Sequence, residues 1–137
     1  VDSKAVSVMG IYENTVDGMM TDYVFPQENG HRESVKWFCI GDGEDGMLCR
    51  MEDKLGLNLA NYTDESLEKA QHPFEIEKAD EVIIHLDYRH SGLGSNSCGE
   101  EQLEENKVKL QDFAMAFTLQ TAKSGTEINE ARKQYID

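Results

Sequence analysis

The sequence predicts an all-β fold, an antiparallel β-sandwich with one or two short helices, and three observations predict it. Apolar and polar side chains alternate in several short runs, the period of a half-buried strand. Turns rich in glycine and acidic residues separate those runs. Helical spacing occurs in only two brief stretches, too little for a helical or α/β architecture.

Taken in order, residues 5–12 alternate and residues 35–40 follow as a second strand. Residues 41–46, GDGEDG, combine three glycines with three acids and read as a hairpin loop leading into a strand over 47–51. The motif Asn61-Tyr62-Thr63 is a glycosylation signal only in a secreted eukaryotic setting, for which nothing else speaks. Thr63 is placed to cap a short helix, DESLEKAQH, whose first turn holds Asp64 and Glu65 and which Pro73 ends. Leu67 and Ala70 are the residues of that helix expected to pack on the sheet. Further on, Val82, Ile84 and Leu86 fall on one face of a strand and Ile83, His85 and Asp87 on the other. Phe113, Met115, Phe117 and Leu119 repeat at period two opposite Ala114, Ala116 and Thr118, which predicts a buried strand. The sandwich is expected over residues 1–122 and a tail over 123–137, where Ile128, Ala131 and Tyr135 have helical spacing and Thr126 is a candidate cap.

A chain of 137 residues has room for one domain with a modest core. Hydrophobic residues make up 39% and charged residues 29%, and no apolar run approaches the roughly 18 residues of a membrane span. The net charge of −14, from 13 basic and 27 acidic residues, opposes neutralisation of a phosphate backbone. Neither nucleic acid nor a membrane is an expected partner. The run Glu100, Glu101, Glu104, Glu105 reads as a solvated loop. Cys39, Cys49 and Cys98 are odd in number and lack C-x-x-C spacing, so they suggest neither a disulfide framework nor zinc. Cys39 and Cys49 flank the hairpin loop as reduced, apolar cross-strand neighbours, and the cytoplasm is the compartment expected. The start, VDSKAVSVMGIYE, alternates at once and has no initiator methionine, so the sequence reads as a piece of a longer polypeptide. If it begins partway through a sandwich, an open edge and an uncovered apolar face predict self-association.

Two blocks carry the functional signal. The first, YVFPQENGHRESVKW over residues 23–37, contains Pro26, which fixes one φ, and Asn29-Gly30, which tolerates positive φ. It reads as a tight corner before the strand carrying Trp37, shaped by an ion pair between Glu28 and Arg32. The second, HLDYRHSGLGSNSCG over residues 85–99, is a strand running into a loop. Glycines 92, 94 and 99 fold that loop tightly and display Ser95, Asn96, Ser97 and Cys98. Such a polar tip suits hydrogen bonds to sugar hydroxyls, although an ordinary connecting loop has the same composition. Its G-L-G lacks the spacing of a phosphate cradle. His85, Asp87 and His90 invite a metal or acid/base reading. Spacing indicates no third ligand, however, and no metal residue is assigned.

Both blocks resemble the C-terminal sandwich domain, the small-chain region, of the glycoside hydrolase family 2 β-galactosidases, in which PQENG-R and a later HLDYR-x-SG-x-G-SNSCG recur in that order. The resemblance covers roughly residues 8–120. It implies a sandwich similar to that of the aldose mutarotases and an accessory role in hydrolysing terminal β-D-galactosides. The two glutamates of that retaining reaction are implied to lie in a separate barrel, and the ligands of the divalent cation (Mg) expected in the parent enzyme outside this segment, so no cofactor is expected here. The implied partners are that barrel and the other domains of the parent, with the galactoside contacted only indirectly. The loop of Ser95, Asn96, Ser97 and Cys98 is implied to lie near the mouth of the active site, and the corner of Gln27, Glu28, Asn29 and Arg32 to face the barrel. Some members carry a sugar-stacking tryptophan near the loop's end, and this tip has no aromatic residue. Two other classes compete: an autonomous sugar epimerase of the mutarotase type, with His85 or His90 and Glu28 as its acid and base, and a free carbohydrate-binding or assembly module.

Overall fold

A computed structural model describes residues 10–20, 30–42, 44–90, 100–123, 128–130 and 133. They form an all-β arrangement, a four-stranded sheet with a few short helices, of the kind found in sandwich-type domains. The elements run α1 (Val16–Met19), β1 (Arg32–Gly41), β2 (Asp45–Ala60), α2 (Asp64–Lys69), β3 (Ile83–Asp87) and β4 (Phe117–Lys123). The strand order is β1-β2-β3, and β4 pairs with β2. The chain divides into two compact units, one of residues 1–33 and 56–112, the other of residues 34–55 and 113–137.

In the first unit, the end of β2 pairs antiparallel with β3, Gly56 opposite Asp87 and Ala60 opposite Ile83. Leu57 and Leu59 of this unit are buried at period two along β2, as is Leu55 at the end of the second unit's part of the strand, so β2 continues past residue 51, where the sequence predicts its end. The core of the unit gathers Ala60, Tyr62, Leu67 and Ala70, with Met20 and Ile76 packed against it. Helix α2 forms because the Thr63 hydroxyl accepts from the Ser66 N–H and Asp64 and Glu65 occupy its first turn. Leu67 and Ala70 are buried as expected. The helix stops at Ala70, whose N–H bonds the Ser66 carbonyl, and Pro73 opens a separate 3₁₀ turn instead of ending the helix.

The motif Asn61-Tyr62-Thr63 has a structural use at each position. The Asn61 amide donates to Asp17, Tyr62 lies in the core, and Thr63 caps α2. Asp17 also takes both oxygens to Lys78 Nζ, at 2.9 and 2.8 Å. The Lys78 bonds, then the Asn61 bond, hold its carboxyl below the ordinary value. The acidic stretch is exposed at Glu100, Glu101, Glu104 and Glu105, and Lys107 binds Glu101 and Glu104 within it.

In the second unit, the hairpin between β1 and β2 closes more tightly than the six-residue loop expected. Asp42 Oδ1 accepts from the N–H groups of Glu44 and Asp45 at 2.9 and 3.1 Å, an Asx turn. Those bonds lower the Asp42 pKa. Leu48 and Ala122 are buried together, with Trp37 and Cys39 against them. Cys39 and Cys49 are free thiols, and burial raises the pKa of each, which favours the thiol over the reactive thiolate.

The strand expected at residues 113–119 differs from expectation. Pairing begins only at Phe117, which lies opposite Met51, and continues to Lys123 opposite Asp45. Phe113, Met115, Phe117 and Leu119 are exposed rather than buried. Alternation identifies residues that share a face, and here the sheltered face is the other one, that of Gln120 and Ala122. Residues 10–12 also form no strand. The rest of the strand expected over 5–12, and the helix cap Thr126, lie outside the described residues, whereas residues 128–130 are helical.

Candidate functional site

The two sequence blocks meet at four side chains of the first unit. His31 stands at the entry to β1, after Gly30, whose φ of 79° is the left-handed conformation expected of the Asn29-Gly30 pair. A Cβ at Gly30 would lie 2.9 Å from the Met19 carbonyl oxygen, so the corner demands glycine twice over. Arg32 braces it, Nη1 donating to the Gly30 carbonyl at 2.7 Å and more weakly to that of His31 at 3.3 Å.

The His31 side chain is 4% exposed and lies between two carboxylates. Its Nε2 is 3.0 Å from Glu33 Oε1, and its Nδ1 is 3.6 Å from Asp87 Oδ2. His90 completes the group, with Nδ1 3.9 Å from the same Asp87 oxygen and its ring edge-on to that of His31 at 4.9 Å between centroids. Gly56, paired with Asp87 in the sheet, makes room for the imidazole. A Cβ there would fall 2.6 Å from His31 Cε1 and 2.9 Å from Nε2.

Of the residues nominated from spacing, Asp87 and His90 come together and His85 does not. His85 lies on β3 with Nε2 3.6 Å from Asp64 Oδ1, near the start of α2. Strand geometry explains this: a residue two before Asp87 on the same face is displaced along the strand by about 7 Å. The partner that joins Asp87 and His90 is His31, from the other block. No local spacing could reveal it, although its place beside the Asn-Gly turn and its lone histidine identity in that block were visible. Ser95, Asn96, Ser97 and Cys98, with Gln27, Glu28 and Asn29, lie outside the described residues, as does any Glu28–Arg32 ion pair. Arg32 is exposed.

Two open depressions, of about 340 and 300 Å³, lie elsewhere. The larger is edged by Lys36, Arg50, Glu52 and Lys54. Neither includes a residue of the histidine–carboxylate group.

The family of β-galactosidase small chains matches residues 1–119, which include both blocks. The chain belongs to this family. Among individual relatives, a β-galactosidase of Actinobacillus pleuropneumoniae is 31% identical over 119 residues, 87% of this chain and 11% of that protein. One of Vibrio cholerae is 32% identical over 103 residues, 75% of this chain and 10% of the relative. Kluyveromyces lactis has a β-galactosidase 27% identical over 119 residues, 86% of this chain and 11% of the relative. This small-chain domain thus spans about a tenth of the length of the curated relatives it matches. None of its described helices is long and apolar enough to cross a membrane.

Proposed function

We propose that the chain is an accessory domain of a β-galactosidase, acting beside the barrel that hydrolyses terminal β-D-galactosides and supplying no catalytic carboxylate. In this reading Ser95, Asn96, Ser97 and Cys98 form a polar loop near the mouth of the active site. Gln27, Glu28, Asn29 and Arg32 face the barrel, which with the parent's other domains is the partner. One observation carries the proposal: His31, just after the first signature block's turn, and His90, just before the glycine-rich loop, stand with rings 4.9 Å apart. The described ends of the two signature blocks therefore lie side by side, as they must if both blocks address one partner. The free Cys39 and Cys49 suit a cytoplasmic enzyme.

The Mg expected in the parent is held outside this segment in this reading. The donor set of His31, Asp87 and His90 does not fit it, because Mg²⁺ takes oxygen ligands in near-ideal octahedra.

Two measurements test the proposal. The isolated chain hydrolyses no chromogenic β-galactoside, since a retaining reaction needs two carboxyl groups about 5–5.5 Å apart across the scissile bond. Turnover that survives repurification would overturn it. In the full-length enzyme, Asn96→Ala raises KM and leaves kcat nearly unchanged, the mark of a contact made equally in ground and transition states. A large fall in kcat at constant KM would show that the loop does more than hold the sugar.

A further inference from the structure

Among the described residues, the ligand atoms of His31, Asp87 and His90 lie within 4.8 Å of one another. We infer that they form a site for one divalent transition-metal ion of the Zn²⁺ class, with Glu33 as the residue that orients His31.

The tautomer of His31 is the first support. A carboxylate only accepts, so the nitrogen 3.0 Å from Glu33 Oε1, Nε2, carries the proton in the neutral ring. In that tautomer the lone pair is on Nδ1, the atom 3.6 Å from Asp87 Oδ2, and both atoms can turn to one cation. A carboxylate on the far nitrogen of a histidine is the arrangement that orients metal-binding imidazoles and raises their basicity.

Distances give the second support. Donors held about 2.1 Å from a tetrahedral ion stand about 3.4 Å apart. Asp87 Oδ2 is 3.6 Å from His31 Nδ1 and 3.9 Å from His90 Nδ1, so these two edges close with movements of a few tenths of an ångström. The third edge, between the two imidazoles, is within 4.8 Å and closes by rotation of the part-exposed His90 ring, by at most about 1.4 Å. Third, the place is built: the His31 side chain is 4% exposed, and Gly56 lacks the Cβ that would collide with its ring. Asp87 and His90, at 34% and 26% exposed, leave an entry path.

Two imidazoles and one carboxylate suit Zn²⁺, Co²⁺ or Ni²⁺ rather than Mg²⁺ or Ca²⁺. Three protein donors leave a fourth position for water or an outside ligand. A bound ion would tie the entry to β1 to the exit from β3, next to the two signature segments. This inference does not depend on the sugar-site reading, because its readout is metal binding.

The test uses the 137-residue chain, stripped with chelator and titrated with Zn²⁺ by calorimetry in excess Mg²⁺, which occupies diffuse acidic sites. One Zn²⁺ per chain is expected with micromolar or tighter affinity, and Co²⁺ in its place should show the visible absorption of tetrahedral nitrogen–oxygen ligation. His90→Ala and Asp87→Asn should each weaken Zn²⁺ at least tenfold, and Glu33→Gln, which removes only the orienting carboxylate, by about 10- to 100-fold. His72→Ala and His85→Ala, on the remaining histidines, should leave affinity unchanged. Circular dichroism of every variant separates loss of ligand from loss of fold. The inference is overturned if no saturable binding occurs, if Mg²⁺ competes Zn²⁺ away, or if a folded His90→Ala variant binds as well as the parent chain.

Discussion

Gly56 and His31 illustrate how one missing methyl group places a functional side chain. The imidazole lies across the backbone of β2 only because position 56 has no Cβ, and Glu33 and Asp87 limit where the ring can go instead. Gly56→Ala should therefore destabilise the chain by about 1–3 kcal/mol through overpacking, larger than the roughly 0.4–1 kcal/mol that the replacement gains from a stiffer unfolded chain. Urea denaturation measures the difference, and an unchanged midpoint would show that the ring swings clear freely. Local devices of this kind differ in how far sequence reveals them. The left-handed Gly30 and the capping Thr63 act on residues within one turn, so dipeptide and spacing signals suffice. His31, Asp87 and His90 come together through strand pairing between distant segments, and spacing could not link them.

Among the elements, α2 and the β1–β2 hairpin each rest on one polar side chain. Helix α2 has only six residues, too few for helix propensity alone to sustain it. Thr63→Ala should cost about 1 kcal/mol, with a range of 0.5–2, and Leu67→Ala about 2–5 kcal/mol because Leu67 is buried in the core. A Thr63→Ala loss larger than that of Leu67→Ala in a denaturation series would mean that the cap, not packing, holds the helix. In the hairpin, Asp42 works as a carboxylate whose pKa lies below its ordinary value because two backbone N–H groups bind it. A lowered folded-state pKa means that the unfolded chain takes up its proton first as pH falls. The contribution is therefore complete above the ordinary carboxylate value and is lost as pH drops through the lower folded one. Asp17, bound to Lys78 and Asn61, follows the same sign. Asp42→Asn and Asp17→Asn should each flatten the acid limb of a stability-against-pH curve, and a limb as steep as that of the parent chain would remove these carboxyls from the account. Strand boundaries were less legible than turns and caps. Exposed Glu52, Asp53 and Lys54 interrupt the apolar pattern in the middle of β2, so the pattern points to an end at 51 although backbone pairing resumes beyond them.

For the whole molecule, the consequence of greatest reach comes from β4 and the segment before it. Phe113 is 59% exposed, Phe117 43% and Leu119 54%, with Met115 and Leu110 also open to water. Single exposed apolar residues are ordinary, but a run of this density resembles a surface awaiting cover. The alternation that suggested burial was chemically sound. It specified a shared face, and sequence alone could not say that among the described residues this face stays open to water. In a domain spanning about a tenth of its relatives' length, the parent's remaining domains can supply that cover. For an isolated chain, other copies of itself are the available partners. The charge of −14 opposes their approach, yet charges separated by more than about 8 Å are largely screened at physiological salt, whereas burying a phenylalanine or leucine side chain gains about 1.5–3 kcal/mol. Apolar contact at short range should win, and the isolated chain should self-associate at micromolar concentration, more strongly as salt is raised. Phe117→Ser with Leu119→Ser, on the outward face of β4, should shift the sedimentation profile toward monomer while the strand signal in circular dichroism persists. A parent chain that stays monomeric across a wide concentration range, with cooperative unfolding, would mean that this apolar row is tolerated in water and needs no partner.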